Sequence, residues 1–395
     1  MIDQWTKSLD EKGQIDVVYT DFEKAFDKVP HRRLIRKLHL YGINTAVINW
    51  IESFLCYRRH CVRVNGKLSH WKDVCSGIPQ GSVIGPLLFI IFINDLPQDC
   101  GDGSDIYMFA DDAKLFQFIY DTNDSGILEA ACQNIFLWCD KSLMKLNIDK
   151  CKVLSLCRGK HKVEYKYGFD VPGRGFVELE HVNQMKDLGV IIDLDLSFKS
   201  HVYDKVNKGF QMLGMISRSF GNLDAFCFKM LYISLVRSHL EYAHSVWNPH
   251  TVELIQALER VQKRATKLVN CCKKLSYKDR LRYLQLPTLK YRRLRGDMIE
   301  VYKIINGLYD NRVVPSLPLN VNSRTRGNTF KLRFERPKYD LRKYSFTVRI
   351  VKLWNSLPDS LVKQESLFAF EKGLDNLWKD EELYYDFKAD VPGSL

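Results

Sequence analysis

Two apolar runs ninety positions apart both stop at aspartate, and no other feature constrains the fold of this chain as strongly. Val17-Val18-Tyr19-Thr20 runs into Asp21, and Tyr107-Met108-Phe109-Ala110 runs into Asp111-Asp112. Short runs of β-branched and aromatic residues such as these read as buried strands. The second resumes over 113–118, which sets Asp111 and Asp112 at a hairpin tip. Carboxylates gathered at one sheet edge repel each other unless cations neutralise them. Magnesium suits such oxygen ligands and keeps positions open for phosphate and water. An Asp-Asp pair by itself is a weak signal, since a chain of 395 residues is expected to contain one by chance. The surrounding pattern supplies the weight.

That pattern mixes strands and helices without strict alternation, which argues for an α+β domain. A strand is expected at 15–20, then a helix over 31–41 and a second helix capped by Asn44. Asn65-Gly66 between alternating apolar residues marks a hairpin, and the return strand reaches Val74. The apolar run 87–93 is too short to span a membrane and reads as a buried helix. A helix over 127–146, a strand at 153–156, a weak hairpin in 162–182 and a strand at 188–192 follow. Beyond about residue 198 the chain turns helical, with an amphipathic helix over 251–269 and another from Thr288 to Asn306-Gly307. Past Pro315 the pattern weakens into a basic, loop-rich tail with one helix near 366–378.

Charge divides along the same line. Residues 1–198 carry 24 Lys/Arg against 27 Asp/Glu, and residues 199–395 carry 35 against 20. The net charge of +12 therefore lies wholly in the second half and favours a polyanionic partner. Within it, 259–295 holds thirteen Lys/Arg and two Asp/Glu, and Arg260, Lys263, Arg264 and Lys267 recur at helical spacing. Ordinary surfaces mix signs, so this face suits phosphate as well as plain solvation. The eleven cysteines form no pattern of zinc-ligand spacing. Reduced thiols in the nucleus or cytoplasm, with no membrane and no zinc, are the expectation.

The blocks VVYTDFEKAFD, SGIPQGS and FADD occur in an order and at spacings that resemble the palm of reverse transcriptases. Longer strings, SGIPQGSVIGPLLFIIFINDLP, KDLGVIIDLDLSF and HLEYAHSVWNPHTVELIQALERVQKRATKLV, resemble the non-LTR, LINE-type retrotransposon family. The resemblance implies an RNA-directed DNA polymerase that adds dNTPs to a primer 3′-hydroxyl on an RNA template. It implies two Mg2+ ions, for which Mn2+ can substitute. Asp21, Asp111, Asp112 and the Phe22 carbonyl would form the metal site. Phe26 would be the gate against the ribose 2′-hydroxyl, or else a plain core aromatic. Gln80, Gly81 and Ala110 would lie against the nucleotide, with a simple turn as the alternative for the glutamine loop. Lys150 would donate a proton to pyrophosphate or merely screen the acids. Gly189 would fall in the block that grips a DNA primer. Arg260, Lys263, Arg264 and Lys267, with Arg292, Arg293 and Arg295, would contact nucleic-acid phosphates, and binding would weaken steeply with salt.

The expected layout is a right-hand polymerase palm with an antiparallel sheet in 1–196, an α-helical thumb in 197–310 and a basic C-terminal extension in 311–395. About fifteen residues precede the first strand, where the family carries finger strands, so an N-terminally truncated member is expected. A non-catalytic nucleic-acid-binding remnant is the alternative reading.

Overall fold

The structure, a computed structural model, describes residues 1–101, 103–159, 162–320 and 328–390. It is a mixed α/β chain whose strands pair mostly antiparallel. Two compact units are present, one formed by 12–183 and the other by 1–11 with 184–395.

In the first unit, β1 (Gln14–Thr20) is buried along its whole length. Strands β2 (Asp105–Phe109) and β3 (Asp112–Ile119) form a hairpin, and β3 lies antiparallel beside β1. On the other side β1 pairs antiparallel with β4 (Lys152–Cys157), and the short β5 (Glu180–His181) runs parallel to β4. The order β5-β4-β1-β3-β2 makes β1 the central strand, which explains its unbroken burial. The helix Thr122–Ser142 places Leu128, Ala131, Cys132, Ile135, Trp138 and Cys139 at a three-to-four-residue spacing into the core that holds Val18, Leu115 and Val153. It begins five residues earlier than the sequence pattern suggested. Asp121 and Asp124 close a capping box that satisfies the first N–H groups.

Helix Gly85–Ile93 corrects one expectation. Leu88, Phe89, Phe92 and Ile93 are buried, but Leu87 and Ile90, one turn apart, are 57% and 51% exposed. Uniform hydrophobicity hid which flank faces the core. The Asn65-Gly66 hairpin forms as expected, with both turn residues at positive φ between Arg63–Val64 and Lys67–Leu68.

In the second unit, helices Lys199–Ser219 and Val252–Ala265 pack closely; a Cβ on Gly209 would stand 2.9 Å from Val261. Helix Leu289–Ile305 starts at Thr288, whose hydroxyl accepts the Tyr291 N–H. Its Met298, Val301 and Tyr302 share a core with Ile350, Trp354 and Phe370 from helices Phe346–Ser356 and Leu367–Trp378. The tail past Pro315 is thus more helical than its sequence suggests, with further short helices at Asp340–Lys343 and Asp359–Val362. Parts of that tail, 321–327 and 391–395, lie outside the described residues. Sequence reasoning also missed the first helix, Ile2–Asp10. Its Trp5 and Leu9 are buried, Asp3 pairs with Arg342, and Asp10 accepts the N–H groups of Lys338 and Tyr339 at 2.8–3.1 Å.

The stretch 188–192 is a turn followed by a strand. Leu188 and Gly189, both at positive φ, connect strands Gln184–Asp187 and Val190–Asp193. Among the described residues no helix is long and apolar enough to cross a membrane.

Candidate active site

Pairing of β1 with β3 fixes the backbone next to the aspartates. Thr20 lies opposite Ala113, and its hydroxyl donates to the Ala113 carbonyl at 2.9 Å. Asp21 and Asp112 are the residues that flank this last pair. Asp111 occupies the two-residue turn between Phe109 and Asp112, which are themselves paired. Ala110 takes a left-handed φ of 52° there, a conformation that costs an alanine about 1 kcal/mol and shapes the tip. The acids are solvent-reachable: Asp21 and Asp111 are half-buried and Asp112 is exposed.

Asp21 is held by its backbone. Its carbonyl accepts the Asn147 N–H at 2.7 Å, while Glu23 N–H donates to the Lys145 carbonyl at 2.8 Å. These two bonds bracket a bridge between Phe22 and Leu146. Because the neighbours make the bonds, the carbonyl of Phe22 points away from that pairing, while its ring packs edge-on against Trp138. Lys150 Nζ stands 3.6 Å from the Asp21 carboxylate, a largely exposed pair that screens charge and adds little stability. Behind it, burial pushes the Cys151 thiol up to about 11, so it stays protonated at neutral pH. Another acid of β1 shows the contrast. Asp16 is buried and satisfied by Gln14 at 3.0 Å and the Tyr167 hydroxyl at 2.7 Å, a structural arrangement.

The second part of the site is a loop strapped to the segment after Asp21. Ile78 N–H donates to the Phe26 carbonyl and Gly77 N–H to the Val29 carbonyl, both at 2.8 Å. Gly77 has φ +93°, and a Cβ there would lie 2.6 Å from the Asp27 carbonyl oxygen, so only glycine fits. Gln80 Nε2 donates to Asp27 Oδ1 at 3.1 Å, and Gly81 follows at the surface. Phe26 stacks on Phe89 at 4.4 Å with an edge left half-exposed. Sequence reasoning gave no site role to Asp27 or His31. Asp27 holds Gln80 and, through its carbonyl, Ser76, and His31 Nε2 contacts the Gly77 carbonyl at 2.8 Å. Nothing in their spacing announced a loop forty-six residues away.

The donor set consists of hard carboxylate and carbonyl oxygens, the chemistry that suits a magnesium-class cation. Among the described residues no three His, Cys, Asp or Glu side chains already converge as a metal cluster. The fit lies in the chemistry of the oxygen donors.

In the other unit, Arg260, Arg264 and Lys267 are exposed, while Lys263 Nζ lies 4.5 Å from the centre of the Phe387 ring. Arg292 and Arg293 do not join that face. Arg292 is ion-paired to Glu241, and Arg293 is 2% exposed with Nε bonded to Asn248 at 2.9 Å. Burial pushes the Arg293 guanidinium down to about 10. Arg295 pairs with Asp375 at 2.9 Å. The helical spacing of Arg292, Arg293 and Arg295 concealed that Arg292 and Arg295 pair with Glu241 and Asp375 and that Arg293 is buried against Asn248. Gly189 forms its hairpin turn against Tyr242, whose hydroxyl donates to the Leu188 carbonyl at 3.0 Å.

A sheet edge with three aspartates, beside a glycine-bearing loop, defines a class in which one carboxylate follows a central strand and two close the neighbouring hairpin. The chain belongs to the reverse transcriptase (RNA-dependent DNA polymerase) family, whose model matches residues 3–215. It is 25% identical over 294 residues to "Probable RNA-directed DNA polymerase from transposon BS" of Drosophila melanogaster, covering 67% of this chain and 30% of that protein. It is 29% identical over 211 residues to "RNA-directed DNA polymerase from mobile element jockey" of Drosophila funebris, covering 50% of this chain and 21% of the relative. A type-1 retrotransposable element R2 polyprotein of Popillia japonica is 26% identical over 218 residues, covering 52% and 35%. The expected kinship with non-LTR retrotransposon polymerases is met, and the chain spans less than a third of the length of the first two relatives. A telomerase structure from Candida albicans aligns with 72% of this chain and 52% of its own at 12% identity and a TM-score of 0.37, a likeness too slight to inform the fold.

Proposed function

We propose that the chain carries the catalytic core of an RNA-directed DNA polymerase, with the first unit as palm and the helical part of the second as thumb. The observation that supports this reading best is the β1–β3 pairing, which ends with Thr20 opposite Ala113, the residues next to Asp21 and Asp112, while Asp111 lies in the adjoining hairpin turn. Asp21, Asp111 and Asp112, with the Phe22 carbonyl, hold two Mg2+ ions, and Mn2+ can replace them. When bound, such a pair lowers the pKa of an attacking primer hydroxyl and neutralises charge on the leaving pyrophosphate.

The chain's own groups do the rest. Gln80 and Gly81, with Ala110, line the place of the incoming dNTP. Asp27 holds that loop in position through Gln80. Phe26, fixed against Phe89, denies space to a ribose 2′-hydroxyl. Lys150 sits where it can screen Asp21 or pass a proton to pyrophosphate. Gly189 gives a tight turn for a primer strand, and Arg260, Arg264 and Lys267, with Lys263, track phosphates of the RNA template and DNA primer duplex.

Primer extension tests the reading. The purified chain should extend a DNA primer annealed to an RNA template with dNTPs and Mg2+, and Asp111→Ala should abolish extension. Duplex binding with no extension above the Asp111→Ala background would leave a non-catalytic binding protein instead.

A further inference from the structure

The second unit contains a cavity of about 720 Å³ that none of the polymerase roles uses. It is walled by the π-helical stretch Tyr232–Arg237, by helix Leu289–Ile305 and by the segment from Asp375 to Tyr385. Its volume lies in the range of sites that take small molecules.

Its chemistry is lopsided. Lys229, Arg237, Arg292, Arg295 and Lys379 line it against only two acids, Asp375 and Asp380. Arg237 and Arg292 share a single carboxylate, Glu241, which stands behind them. Burial and the nearby Arg292 lower the Arg237 pKa, the mark of crowded cations that an anion would relieve. The bonds of Arg292 to Glu241 and of Arg295 to Asp375 use Nε and Nη2, which leaves Nη1 of each to donate. Arg237 is presented by a π-helical turn, a local irregularity that often marks function.

The remaining wall is aromatic. Tyr291, Tyr384 and Tyr385 adjoin, with successive ring centres 4.7 Å apart. Tyr291, which lines the cavity, is 2% exposed, and its hydroxyl has no hydrogen-bond partner among the described residues. Guanidinium donors beside an aromatic wall match a phosphate joined to a flat base.

We propose that this cavity seats one nucleotide unit of a single-stranded nucleic acid, with its phosphate on the arginines and its base against the tyrosines. The site is independent of the aspartates and of the basic face on helix Val252–Ala265.

Photocrosslinking of the full chain to a short RNA containing 4-thiouridine tests this. An adduct is expected on the peptide that carries Tyr384 and Tyr385. Tyr385→Ala should lower its yield about tenfold, the value of one stacked base. Lys379→Gln, at an exposed position, should lower it several-fold without affecting folding. Asp111→Ala should leave it unchanged, so this site and the polymerase reading can fail separately. Displacement by AMP would identify a single nucleotide as sufficient, and displacement by unlabelled RNA alone would require a strand; both sustain the proposal. Adducts confined to other peptides, yields unaffected by both cavity variants, or equal displacement by polyglutamate would overturn it.

Discussion

At the scale of residues, the arrangement separates acids that stabilise the fold from acids left at a solvent-reachable edge. Asp16 is buried and bonded on both oxygens, whereas Asp21, five positions on, ends the strand at a solvent-reachable edge. Phe26 is the sharpest single test. Its ring is fixed by Phe89 at 4.4 Å, so trimming it opens space without moving the backbone bonds of Phe26 and Val29 to the glycine loop. Phe26→Ala should raise ribonucleotide incorporation at least about tenfold relative to dNTP in primer extension, which corresponds to about 1.4 kcal/mol of lost discrimination. Unchanged discrimination in an active preparation would make Phe26 a core aromatic only. The three aspartates were legible because a strand ending in acid has a local signature. Asp27 and His31 were not, since their partners Gln80 and Gly77 come from a distant loop. Arg292 and Arg293 show the same limit: spacing reveals a helical face but not that it meets Glu241 and Asn248.

At the scale of elements, His201 links helix Lys199–Ser219 to the hairpin that carries Gly189. Its Nδ1 accepts the Ile191 N–H at 3.1 Å, and its ring lies against Trp247. Burial, with a smaller push from Lys205, lowers its pKa from 6.5 to about 4. Below pH 6.5 the unfolded state therefore binds a proton that the folded state refuses, and stability falls as pH drops from about 6.5 to about 4. The loss reaches about 3 kcal/mol once both states are protonated. Urea unfolding at a series of pH values should show this limb, and His201→Phe should flatten it. An identical limb in the variant would assign the acid sensitivity to other groups. Elements with strong local signals, such as the Asn65-Gly66 turn, the Asn44 cap and the Thr288 start, appear where the sequence set them. The 188–192 stretch did not, because leucine at positive φ gives no sign of a turn.

At the scale of the whole molecule, the chain divides into 12–183 and a second unit that joins its first eleven residues to everything after 183. Composition predicted the shift from sheet to helix but not the return of the N-terminal helix, whose bonds to Arg342 and Lys338 span over three hundred positions. It also underestimated the tail, where sparse apolar residues belong to a core completed by Met298 and Tyr302. That shared core makes a firm prediction. Trp354 is wholly buried beside Phe370, and Trp354→Ala should cost about 3–5 kcal/mol in denaturant unfolding. A cost below about 1 kcal/mol would mean the tail contributes little to the unit.

Everything proposed for catalysis requires that residues from two distant stretches grip the same cations. Fe2+ loaded in place of Mg2+, then triggered with ascorbate and peroxide, cuts backbone close to the bound ion. Cleavage should fall near residue 21 and near residues 110–112 together, and Asp21→Ala should remove both sets of cuts at once. Cuts at only one of these places, or cuts at the hairpin tip that survive the loss of Asp21, would contradict a shared site.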